Sequence, residues 1–265
     1  MEASGEVVSC GSAVTGFKVG DRVMGRCPGA FAEYALMTER EIMHAPKSLS
    51  WEQAAALPLT SLVVFDMLVL QGHVKAGEWV LVTGVTSGVG VTALAMAKAL
   101  GAKVIGTSGS QEKLDQLRDQ GLDLGICKRA PNFYDAVMKK TDGKGVDLVI
   151  NTVGGSVFAE CVRSMAFQGR LATVGYVDGV LKAEIDIEAL HAKRLSLFGV
   201  SNKLRTPEQR AESLPAFKEK ILPLVEAGRV IPMIYKTIPF ENLMEAKAMM
   251  DGNQHLGKIV LAGTP

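Results

Sequence analysis

The sequence predicts an α/β protein: a doubly wound parallel sheet, joined to a second, β-rich domain built from both chain ends. Three observations carry this. Short, nearly uninterrupted apolar runs recur at residues 79–83, 103–107, 147–151, 170–174 and 195–198, with a weaker one at 124–127. Helical patterns fill the intervals at 89–100, 110–120, 132–140 and 156–165. The 28 glycines among 265 residues exceed the usual ~7% and sit mostly at boundaries between elements. A strand covered on both faces reads as a continuous apolar run, and helices between such runs make the sheet parallel. The crossovers are then right-handed.

The flanks have a different rhythm. Residues 1–45 carry short alternating runs at 6–9, 22–24 and 31–37, which predict antiparallel strands. Amphipathic spacing predicts helices over 207–228 and 240–250, and 258–261 is a closing strand. At ~150 residues per domain the length suits one large or two ordinary domains. The predicted division is 1–59 for the first β-rich part, 60–199 for the inserted parallel sheet, and 200–265 for the return. Pro46 and Pro58 bracket the first crossing, and no repeat or low-complexity linker interrupts the chain.

Composition narrows the function. Hydrophobic residues at 48% and charged residues at 22% exclude a disordered chain. The mean hydropathy is +0.19 and no run approaches ~18 apolar residues, so no membrane-spanning helix is expected. A net charge of +1 without a basic patch argues against a nucleic-acid partner. Cys10, Cys27, Cys127 and Cys161 are far apart, and no pair has zinc-clip spacing. Scattered thiols and the absence of a signal-like start predict a cytoplasmic protein.

The strongest chemical signal runs from Val80 to Gly90. The apolar run Val80-Leu81-Val82 enters a turn, Thr83-Gly84-Val85-Thr86-Ser87-Gly88-Val89-Gly90, and then an Ala-rich helix. Such a turn brings backbone N–H groups and a helix N-terminus to a pyrophosphate, which predicts a dinucleotide site at Thr86, Ser87, Gly88, Val89 and Gly90. The fit is imperfect, because Val85 and Ser87 stand where the standard fingerprint has glycines. The bland alternative is an ordinary strand-to-helix turn.

The choice of dinucleotide follows from a missing residue. A site for NAD places Asp or Glu about 20 residues on, to hold the ribose 2′-OH. No acid occurs between Trp79 and Gln111. The second run ends instead in Ser108-Gly109-Ser110, with Lys113 one turn further and Lys128 past the third run. Hydroxyls and a cation suit a 2′-phosphate, so NADP(H) is expected. The alternative leaves Lys113 and Lys128 as solvated surface lysines.

Taken together, these residues resemble the zinc-independent quinone oxidoreductase branch of the medium-chain dehydrogenase/reductase superfamily. The resemblance spans essentially the whole chain. It includes Glu2-Ala3-Ser4-Gly5-Glu6-Val7, Gly20-Asp21-Arg22-Val23, Gly29-Ala30-Phe31-Ala32-Glu33-Tyr34, Ala54-Ala55-Ala56-Leu57-Pro58-Leu59, the Gly84–Gly90 turn and Gly257-Lys258-Ile259-Val260-Leu261. It implies a GroES-like catalytic domain around a Rossmann domain, a homodimer, and NADPH as cofactor. It also implies nicotinamide-side contacts at Asn151, Val153 and Gly154, at Val174, Gly175 and Tyr176, at Phe198 and Val200, and at Asn253.

Several positions depart from the family pattern. Met1 stands where zinc-dependent members have a ligand histidine, and Leu59 where they have a ligand cysteine. His44, His73, His191 and His255 show no ligand spacing, so no metal is expected. Val63 replaces a nicotinamide-side Thr, and Lys128 a Tyr near the adenosine phosphate. Relatives also carry several dozen residues before the position of Met1, lining one wall of the substrate cleft. The expectation is therefore a shortened or partial catalytic domain, with ordinary NADPH binding and slow turnover.

The expected activity is hydride transfer from NADPH to a quinone or an α,β-unsaturated carbonyl, without zinc. No catalytic side chain is assigned; Tyr176, Ser201 and Lys203 lie near the expected cleft, but packing or backbone roles are favoured. The alternative is an NADPH-binding structural or regulatory protein with little activity. Zinc-dependent alcohol oxidation is disfavoured by Leu59.

Overall fold

The computed structural model describes residues 2–263, so the expectation attached to Met1 lies outside the described residues. In chain order the strands are β1 (Glu2–Glu6), β2 (Arg22–Arg26), β3 (Ile42–His44), β4 (Trp79–Thr83), β5 (Lys103–Ser108), β6 (Leu124–Cys127), β7 (Val146–Asn151), β8 (Met165–Thr173), β9 (Ser196–Gly199), β10 (Ile234–Pro239) and β11 (Lys258–Ala262). The helices are α1 (Trp51–Ala56), α2 (Pro58–Phe65), α3 (Gly88–Ala99), α4 (Gln111–Arg118), α5 (Tyr134–Lys140), α6 (Phe158–Arg163), α7 (Ile187–Ala192), α8 (Pro207–Ala211), α9 (Leu214–Lys220), α10 (Leu222–Glu226) and α11 (Leu243–Asp251). The chain divides into two compact units, one of residues 63–201 and one of residues 1–62 with 202–265.

The 63–201 unit is a six-stranded sheet in the order β6-β5-β4-β7-β8-β9, every neighbouring pair parallel. This is the doubly wound sheet that the apolar runs predict. Val80, Leu81, Val82, Ile105, Val149, Ile150 and Leu171 are fully buried. Each such side chain contributes ~1.5–3 kcal/mol by leaving water. Phe133, Val137, Cys161, Val162 and Met165 pack against Leu81, Ile105, Val149 and Leu171. From β4 the chain winds outward through β5 and β6, then returns to β7 beside β4 and winds the other way. The reversal between β4 and β7 is a topological switch point, where open α/β sheets bind ligands. A partly buried ion pair ties the opposite end of the sheet: Arg170 donates to both Glu78 oxygens at 3.1 and 2.7 Å, and to the Gly72 carbonyl at 2.8 Å.

The other unit holds an antiparallel sheet, β1-β2-β3, and a parallel pair, β10-β11. Helix α1 packs on β1, β2, β10 and β11. Its start is fixed by a reciprocal cap between Ser50 and Gln53, the sequence signature of a helix N-terminus. Glu41 is buried and accepts from Arg210 at 2.6 Å, with Arg26 3.6 Å away.

Several expected boundaries move. The first strand ends at Glu6, so residues 7–9 are not strand. Residues 31–37 form bends and loop rather than a strand; Phe31, Tyr34 and Leu36 are exposed, with no sheet to receive them. The predicted helix over 207–228 is three short helices, because Pro215 and Pro223 open α9 and α10 and each removes a helical N–H donor. Residues 164–165 leave the predicted helix over 156–165, and Met165 opens β8, which is longer than its apolar run. Strand β10 and the helices over residues 51–65 were not anticipated from the apolar pattern.

Candidate functional site

The site builds from the sheet's carboxyl edge. Thr83, Asn151, Thr173 and Gly199 are register partners across β4, β7, β8 and β9, so the loops after these strands leave from one level. Those loops carry Gly84–Gly90, Val153 and Gly154, Val174–Tyr176, and Val200. On the other side of β4, Ser108 pairs in register with Cys127, which places Gly109 and Lys128 on adjacent loops.

The turn after β4 is held by Thr107, whose carbonyl accepts the Val85 N–H at 3.0 Å and whose hydroxyl accepts the Gly84 N–H at 3.3 Å. A Cβ on Gly90 would stand 2.5 Å from the Gly84 carbonyl oxygen, so only glycine lets the helix approach this closely. The two departures from the fingerprint are accommodated. Val85 is fully buried and turns into the space that Gly106 leaves: a Cβ on Gly106 would lie 2.5 Å from its Cγ1. Ser87 is the N-cap of α3, its hydroxyl accepting the Gly90 N–H at 3.1 Å. The Gly88 and Val89 N–H groups are then first-turn donors that the helix itself does not use, at its positive end. This cradle fits a pyrophosphate.

At the end of β5 the hydroxyls are partly committed. Ser108 is buried, 3.1 Å from the Thr86 hydroxyl, and accepts the Ser110 N–H at 3.2 Å. Ser110 caps α4 by accepting the Lys113 N–H at 3.3 Å. Burial pushes the Lys113 ammonium below its usual range, and neighbouring Glu112 opposes this. Lys128 is exposed, its Nζ 3.4 Å from the Asn132 carbonyl. A further cation stands here. The side chain of Arg129 lies across Gly109, and a Cβ on Gly109 would overlap its Nε and come within 2.9 Å of its Cγ. The signal available in the sequence was its place directly after Lys128, past the end of β6.

Asn151 is fully buried and its amide is spent on the turn that follows it. Oδ1 accepts from the Val153 and Gly154 N–H groups and the Thr83 hydroxyl, each at 3.1 Å, and Nδ2 donates to the Gly154 carbonyl at 2.9 Å. Its side chain therefore shapes the turn. The Val174 N–H donates to the Asn151 carbonyl, and the Val200 N–H to Thr173. Phe198 is partly buried in β9, and Tyr176 is exposed beside Gly175. Asn253 belongs to the other unit, just past α11, in a left-handed conformation with φ 51°.

In that second unit, Leu59 donates its backbone N–H to Glu2 at 2.7 Å, and Lys258 pairs with the same carboxylate. Among the described residues no group of three or more His, Cys, Asp or Glu side chains could hold a metal, and no helix is long and apolar enough to cross a membrane.

Comparison with known proteins agrees with this architecture. Residues 1–47 match the alcohol dehydrogenase GroES-like domain, and residues 88–219 match the zinc-binding dehydrogenase family. A quinone oxidoreductase-like protein 2 homolog from Nematostella vectensis is 32% identical over 98% of this chain and 72% of its own length. Among solved structures, a mycobacterial protein complexed with NADPH superposes with a TM-score of 0.85 at 28% identity, over 98% of this chain and 81% of that one. The CurK enoyl reductase superposes with a TM-score of 0.82 at 25% identity, over 99% and 78%. On these matches the chain belongs to the medium-chain dehydrogenase/reductase superfamily of nicotinamide-dependent oxidoreductases.

Proposed function

We propose that this chain is an NADPH-dependent reductase that delivers hydride to a quinone or to the β-carbon of an α,β-unsaturated carbonyl, without zinc, and acts as a cytoplasmic homodimer. One observation carries the cofactor choice. Arg129 lies across Gly109, Lys113 stands in the first turn of the helix that Ser110 caps, and Lys128 follows β6 on the loop beside Gly109, while no acid lies between Trp79 and Gln111. Three cations suit a 2′-phosphate and leave the 2′-OH of NAD without its usual acceptor. The similarity to quinone oxidoreductase-like proteins and an enoyl reductase supports the acceptor class.

When bound, the reduced nicotinamide supplies the hydride. The chain's own residues do the rest. The Gly88 and Val89 N–H groups and the α3 dipole hold the pyrophosphate, and the backbones of Val153, Gly154 and Gly175 border the nicotinamide end. A conjugated carbonyl accepts hydride without a Lewis acid, and a proton from water completes the hydroquinone or saturated ketone. Leu59, which has no metal-binding atom in its side chain, is consistent with this metal-free route.

The second reading, NADPH binding without turnover, is separated by one experiment. NADPH is mixed with the protein and then with a benzoquinone or a simple enone, before and after chelation. Oxidation of NADPH that survives chelation is expected. Binding without oxidation by either acceptor would favour the second reading. Stoichiometric zinc by elemental analysis would overturn the metal-free route.

A further inference from the structure

The loop after β8 is joined to the turn after β7 by the Asp178 side chain and two backbone hydrogen bonds. Asp178 accepts the Ser156 N–H at 2.8 Å through Oδ2 and the Val180 N–H at 2.9 Å through Oδ1. Its own N–H donates to the Val153 carbonyl at 3.1 Å, and the Gly155 N–H donates to the Val180 carbonyl at 3.0 Å. Both glycines are required by this closeness. Gly154 has φ 130° and ψ −148°, a region that side-chain-bearing residues rarely enter. A Cβ on Gly154 would overlap the Asp178 carboxylate and stand 2.9 Å from the Tyr176 Cα; one on Gly155 would stand 2.7 Å from the Val180 carbonyl oxygen.

Apolar packing adds little to this loop. Tyr176, Val177, Val180 and Leu181 are all exposed, Val177 at 84%, so apolar burial does not set its conformation. Burial would raise the Asp178 carboxyl, but hydrogen bonds from Ser156 and Val180 outweigh it and hold the group below its ordinary range.

We propose that Asp178 is a positioning residue for the nicotinamide end of the cofactor, clasping the loop of Gly175 and Tyr176 to the turn of Val153 and Gly154. The inference rests on the proposed NADPH site, since both clasped segments border its nicotinamide end. Asp178 touches no reacting atom; it fixes the backbone that does.

The experiment compares two ligands on the whole chain. NADPH spans both ends of the site, whereas 2′,5′-ADP carries only the adenosine and 2′-phosphate end. In Asp178→Ala the affinity for NADPH is expected to fall about tenfold, because the unclasped loop must be ordered when the ligand binds. Affinity for 2′,5′-ADP is expected to stay unchanged. Asp178→Asn, which keeps one acceptor oxygen, is expected to fall between. A second measurement is independent of the cofactor: amide hydrogen exchange in residues 153–156 and 174–182 should quicken in Asp178→Ala while the thermal midpoint holds. Equal loss for both ligands would show a general structural effect and overturn the proposal. Unchanged NADPH affinity, or unchanged exchange, would overturn it as well. A wild-type chain that binds neither ligand would instead overturn the NADPH reading itself, and the positioning role with it.

Discussion

Arg129 lies across Gly109, so closely that a side chain on that glycine would collide with its guanidinium. The contact brings a third cation to the segment where β5 ends in two serines. It also gives the glycine a reason to be there, because any side chain at position 109 would displace the arginine.

The first expectation follows from these cations. Lys113→Glu and Arg129→Ala should each weaken NADPH by roughly 10- to 150-fold, the ~1.5–3 kcal/mol of a charge-assisted contact, and change NADH much less. Fluorescence titration of each variant measures this. An Arg129→Ala protein with unchanged NADPH affinity would make that side chain a surface residue.

Asn151 should matter to stability before it matters to chemistry. Asn151→Ala leaves the Val153 and Gly154 N–H groups and the Thr83 hydroxyl without their shared acceptor, and the Gly154 carbonyl without its donor. The expected loss is about 2–4 kcal/mol by denaturant unfolding. A loss within about 0.5 kcal/mol, typical of a surface substitution, would show that the turn holds without its template.

The Glu78–Arg170 pair gives a pH dependence. Burial alone would raise the Glu78 carboxyl, but hydrogen bonds from Arg170 and the Lys75 N–H, with the charges of Arg170 and Lys75, bring it below its ordinary value. A group lowered in the folded state stabilises fully above its unfolded pKa, and that contribution disappears as pH falls through the folded value. Glu78→Gln should therefore cost about 1–2 kcal/mol at neutral pH, since the pair is only partly buried, and flatten this part of the acid limb. Parallel acid limbs in the two proteins would contradict it.

Assembly is the fourth expectation. Strand β9 ends the sheet, and an open edge invites a second copy across a two-fold axis. Sedimentation at micromolar concentration should give a dimer, and a monodisperse monomer would refute it.

How much of this was legible depended on what each residue packs against. Val80–Val82 and Leu148–Ile150 announced strands because both faces of the sheet are covered, and Gly84 and Gly90 announced the turn by their place between a strand and a helix. Strand β10 stayed hidden: Tyr235, Lys236 and Thr237 are exposed, and its pairing with β11 is set by tertiary structure. Residues 31–37 misled in the opposite sense, alternating without a partner. Asp178 was invisible, and Arg129 was marked only by its place after Lys128, because where a loop side chain points is set by the fold. Asn151 was singled out by its position at the end of β7, but its role as a template for the turn required the geometry.

The most direct test of the account is a side-by-side titration of the wild-type chain with NADPH and NADH, followed by ligand fluorescence at fixed ionic strength. The account expects NADPH to bind at least about tenfold more tightly, as one charge-assisted contact to the 2′-phosphate requires. Equal affinities, or tighter binding of NADH, would contradict it.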